Sequence, residues 1–102
     1  MSVGNRDRDA ILAQLRQLWP ELADRFGAER IGLFGSAARD TPRDDSDVDV
    51  LVRFRGPATL DGYFGLRSCL EEALGRPVDL VTERGLKPPA RASVARDLVH
   101  VS

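Results

Sequence analysis

The 102-residue sequence predicts a small α/β protein of one domain, residues 1–102. Three observations carry that prediction. Apolar residues recur at helical spacing in three stretches. Three shorter runs, one rich in Ile, Leu and Phe and two in Val and Leu, read as strands between them. Length allows one small domain with a thin core, so a large cleft between domains is excluded.

The first helix is expected from about Arg6 to Trp19, where Ile11, Leu12, Leu15, Leu18 and Trp19 line one stripe. Pro20 marks a break or a new first turn, followed by a short helical piece with Leu22 and Phe26, which Gly27 is placed to end. Arg30 to Phe34 reads as a short strand, and Gly32 within it suggests close approach by another group. Gly35-Ser36 follows, with Ser36 placed to cap a short helix starting at Ala37. Thr41 to Ser46 is polar, contains Pro42 and reads as a loop.

Asp47 to Phe54 is the clearest strand: Val48, Val50 and Val52 face one way, and Asp47, Asp49, Leu51 and Arg53 the other. An amphipathic helix from Leu60 to Leu74 is closed by Gly75. Pro77 to Thr82 is a third strand, with Val78 and Leu80 opposite Asp79 and Val81. Leu86, Ala90, Val94 and Leu98, four apart, predict a last helix, and Val99 to Val101 an extended tail. The helices would pack on the sheet in two or three layers.

Composition excludes several function classes. The formal net charge of -1 argues against a dense nucleic-acid backbone footprint, so no direct nucleic-acid partner is expected. No apolar run approaches the roughly 18 residues of a membrane span, and the N-terminus lacks signal-peptide features, so the expected location is cytoplasmic. The single cysteine, Cys69, rules out an internal disulfide and reads as a small core residue. His100, the single histidine, reads as structural or exposed.

The chemistry is carried by acids. Asp47 and Asp49, two apart on a strand, project from one face about 6.6 Å apart along the chain. Carboxylates held side by side repel unless a proton or cation lies between them, and oxygen-only ligation suits Mg2+. A D-x-D alone is more often a polar sheet face in water. Asp79 changes the balance: it stands on another strand anchored by the same alternation, and neighbouring strands would bring three carboxylates together. Two-metal phosphoryl or nucleotidyl transfer uses acids in this way, with metals about 3.5–4 Å apart. Gly35-Ser36, ending a strand and opening a helix, offers free backbone N–H groups to an anion, although for the pair alone a plain helix cap is the better reading.

Other motifs fail on spacing. No Gly-Lys-Ser/Thr follows for a phosphate loop of the Walker type, and no G-x-S-x-G surrounds Ser36. A calcium loop starting at Asp45 would need Gly where Val50 stands and Glu where Gly56 stands.

Gly35-Ser36, ten residues, then Asp47-Val48-Asp49 fits the pattern G-S-x10-D-x-D. This resembles the nucleotidyltransferase superfamily that includes DNA polymerase beta. The stretch LFGSAARDTPRDDSDVDVLVRF is similar in particular to the minimal nucleotidyltransferase (MNT) family, and the likeness extends over nearly the whole chain. Many relatives carry Gly after A-R, where this chain has Asp40, a residue that tolerates a left-handed backbone better than most.

The resemblance implies a small mixed sheet flanked by helices. It implies that Asp47 and Asp49 hold Mg2+, two ions in all, and that Asp79 is a third catalytic and metal-binding carboxylate. Gly35 and Ser36 would hold the triphosphate of ATP. Arg39 is placed to reach phosphate or a neighbouring acid, and a surface ion pair would serve it equally. The resemblance further implies an antitoxin that transfers AMP from ATP to a tyrosine of a HEPN-domain toxin. Two other functions stand beside it: a binding module that neutralises its partner by contact, and a small-molecule nucleotidyltransferase, for which the chain lacks a second domain.

Overall fold

The computed structural model describes residues 8–35, 47–57 and 59–101. Helix α1 spans Arg8–Phe26, strand β1 Ala28–Phe34, β2 Val48–Phe54, helix α2 Leu60–Leu74, β3 Val78–Thr82, helix α3 Pro88–Asp97 and β4 Val99–His100. A 3-10 turn, Glu83–Gly85, joins β3 to α3. The short helix and the loop expected between Ala37 and Ser46 lie outside the described residues.

The strands form one mixed sheet in the order β3-β2-β1-β4. β1 pairs antiparallel with both β2 and β4, and β2 pairs parallel with β3. The face carrying Ile31, Leu33, Val48, Val50, Val52, Val78 and Leu80 is buried beneath α1 and α2. Those helices contribute Ile11, Leu12, Leu15 and Leu22, and Leu66 and Leu70. Each such side chain taken from water stabilises the fold by about 1.5–3 kcal/mol.

Pro20 does not break the first helix, which runs through it to Phe26. Leu15 and Leu22 are both fully buried and stand two turns apart on one stripe, so ending the helix at Trp19 would forfeit the second. That burial offsets the roughly 3 kcal/mol of an interior proline. Gly27, at φ 70, ends the helix as expected. Cys69 is half-buried at the edge of the core, a correction to its expected place inside it. It flanks the α2 stripe that Leu66 and Leu70 occupy.

The second face of the sheet is only partly covered. Gly32 and Leu51 are register partners on this face, and the C-terminal segment lies against them. A Cβ on Gly32 would stand 2.6 Å from Leu98 Cδ1, which is the close approach the sequence suggested. Leu51 is buried here, although alternation had grouped it with the polar residues; Val94 and Leu98 share a small cavity with it. The result is three layers, with α3 on the side opposite α1 and α2.

α2 begins at Thr59, whose hydroxyl accepts from the Gly62 N–H, and ends at Gly75, left-handed at φ 68. Its side chains also close the outer edge of β3. The Glu71 carboxylate accepts the Val78 N–H at 2.9 Å, and the Tyr63 hydroxyl donates to the Leu80 carbonyl. An edge strand otherwise leaves such groups open to another chain.

Candidate active site

β1 ends and β2 begins at the same end of the sheet, because the two run antiparallel. Phe34 and Asp49 are register partners there. On the other side of β2, Asp49 is the register partner of Asp79. Strands in a sheet lie about 4.8 Å apart, and partners in a parallel ladder share a face. The sheet therefore sets two carboxylates side by side, on the face opposite the apolar core. Asp49 is half-buried and Asp79 exposed, while Asp47 stands exposed just before β2.

Gly35 completes this corner. Its backbone is left-handed at φ 71, and an ideal Cβ there would overlap the Asp49 carboxylate and lie 3.0 Å from its Cγ. Only glycine meets both conditions at little cost. Gly35 thus stands directly against the second acid of the D-x-D. Ser36 and Arg39, the other expected nucleotide-binding residues, lie outside the described residues.

The acids offer only hard oxygen donors. Among the described residues, no group of three or more His, Cys, Asp and Glu side chains gathers closely enough to hold a metal ion. A carboxylate pair suits Mg2+ nonetheless, since that ion is commonly bound by one or two carboxylates together with substrate phosphates. Without a Cβ, Gly35 lets the Asp49 carboxylate stand against the backbone at the end of β1.

A family model, the nucleotidyltransferase domain, matches residues 15–100, which include this whole corner. The chain belongs to the nucleotidyltransferase domain family. It is 43% identical over 81 residues to the protein adenylyltransferase MntA of Thermococcus cleftensis, covering 79% of this chain and 82% of that protein. The solved structure of a proposed minimal nucleotidyltransferase superposes with a TM-score of 0.78 at 42% identity, over 91% of this chain and 94% of that one. A chain from the complex of a tri-AMPylated Shewanella oneidensis HEPN toxin with an MNT antitoxin shares the fold at 20% identity, with a TM-score of 0.69, over 93% and 71% of the two chains.

This nucleotidyltransferase is thus an enzyme of the minimal type, and its mixed sheet and flanking helices are the family's fold. Sequence reading missed Tyr63 and Glu71, whose side chains hold the strand that bears Asp79. Tyr63 stands at helical spacing with Leu66 and Leu70 on α2. The available signal was its hydroxyl, since a partly buried Tyr O–H usually finds a partner.

Proposed function

We propose that this nucleotidyltransferase moves AMP from ATP to a tyrosine hydroxyl of a HEPN-type toxin and so acts as its antitoxin in the cytoplasm. The observation that supports this reading best is the Asp49–Asp79 register pair with Gly35 set against it. The similarity to the protein adenylyltransferase MntA supports a protein acceptor and an adenylyl group as the one transferred.

The Asp49–Asp79 pair, with Asp47 two residues before Asp49, would hold Mg2+ together with the substrate phosphates, and the bound ion would offset phosphate charge at the reacting centre. Gly35 and Ser36 would hold the triphosphate, with the Ser36 hydroxyl adding a donor. Asp79, exposed at the outer strand, faces the incoming acceptor and takes or directs the proton of its hydroxyl. The acceptor oxygen bonds to the α-phosphorus, the bond from that phosphorus to the bridging oxygen breaks, and pyrophosphate leaves. Positioning and electrostatics supply most of the rate.

The deciding experiment incubates the pure protein with a HEPN-type toxin, Mg2+ and ATP, and weighs both chains intact. The partner gains one or more AMP units, and the Asp49→Asn protein adds none. A stable complex without any mass gain would instead establish neutralisation by contact.

A further inference from the structure

We propose that Tyr63 and Glu71 are positioning residues that hold Asp79 in place for nucleotidyl transfer, an inference that rests on the catalytic role of Asp79 proposed above. β3 is five residues long and lies at the edge of the sheet. Along any strand the backbone groups of successive residues point to alternate sides. The Pro77 carbonyl accepts from the Val48 N–H at 2.9 Å, so residues 77, 79 and 81 turn their backbone toward β2. Val78 and Leu80 therefore turn theirs outward, away from the sheet.

Those outward groups flank Asp79 on both sides, and α2 takes one of each. The Glu71 carboxylate receives the Val78 N–H at 2.9 Å, and the Tyr63 hydroxyl binds the Leu80 carbonyl. Glu71 is itself braced by Arg67, 3.5 Å away and one turn earlier on the helix. Asp79 is thereby fixed by β2 from one side and, through its two neighbours, by α2 from the other. Without those bonds an exposed edge strand frays at the residue that must stay beside Asp49. A displacement of about 1 Å in a reacting group lowers the rate by up to about 100-fold.

The test compares Tyr63→Phe, Glu71→Met, Glu71→Gln and Asp79→Asn, each assayed well below its own melting temperature. Tyr63→Phe and Glu71→Met should lower kcat by about tenfold or more while KM for ATP stays within about twofold. Glu71→Gln, whose amide oxygen still accepts from Val78, should keep a kcat near that of the parent protein. Amide exchange, read without substrate, should speed at Asp79 and Val81, whose N–H groups face β2, in the two impaired variants. Parent-like kcat in both Tyr63→Phe and Glu71→Met, with Asp79→Asn inactive, would overturn the positioning role alone. An active Asp79→Asn would overturn the role of Asp79 and this inference with it.

Discussion

The Asp49 carboxylate occupies the volume that a side chain on Gly35 would need. Gly35 follows the last residue of β1 and Asp49 lies on its antiparallel partner β2, so they meet where β1 ends and β2 begins. Gly35→Ala therefore combines a left-handed backbone at φ 71 with a direct overlap on a site acid. Relief requires moving Asp49 or parting the strand ends. We expect transfer to fall at least about 100-fold, with a stability loss of about 1–3 kcal/mol. Steady-state kinetics and urea unfolding on one preparation measure both.

The carboxylates predict the opposite separation of function from stability. Asp49→Asn and Asp79→Asn each remove one of two like charges on neighbouring strands. Transfer should fall by two orders of magnitude or more, on the order of a preorganised electrostatic group in an enzyme. The melting temperature of Asp79→Asn in chelator should equal or exceed that of the parent protein, and calorimetry checks this. A large drop in its melting temperature would mean that Asp79 serves the fold.

On the same face, Gly32 lets the C-terminal segment pack. A Cβ at this position would meet Leu98 Cδ1 at 2.6 Å and the Val99 carbonyl oxygen at 3.3 Å. The leucine tip can turn, but the carbonyl belongs to β4 and cannot. Gly32→Val should destabilise the protein by about 1–3 kcal/mol by overpacking. Amide exchange should locate the damage at the bond from Val101 N–H to the Ile31 carbonyl.

Cys69 gives a prediction in pH. Burial pushes its thiol pKa up; Glu21 adds to the rise, Arg25 opposes it and Glu72 adds slightly. The folded state thus keeps the proton over a range where the unfolded chain releases it. The contribution to stability is complete below the unfolded pKa and is lost as pH rises through the folded one. Alkylation of the native protein at mildly alkaline pH should be slower than that of the unfolded chain. Stability should also decline with rising alkaline pH more steeply in the parent than in Cys69→Ala.

Much of this was legible because the patterns are local. Gly75 closing α2, the alternation around Asp49 and Asp79, and the four-residue repeat of α3 all lie within one element. Gly35-Ser36 and the D-x-D were visible as spacing. The continuation of α1 through Pro20 was not, because burial of Leu22 against the sheet decides it. Neither was the pairing of Asp49 with Asp79, since strand order joins segments thirty residues apart. The left-handed turn at Gly35 and the bonds from α2 to β3 are likewise products of the assembled fold.

The parallel ladder between β2 and β3 has a further meaning for how this enzyme comes to be active. Side chains alternate with a period of two, so sliding β3 by one residue would turn Asp79 into the apolar interior and expel Val78 and Leu80 into water. Hydrophobic collapse and catalytic alignment thus accept the same register and reject the same error. A misthreaded molecule forfeits its oily interior together with its acid pair, so quality control that recognises exposed apolar surface would also discard the molecules unable to react.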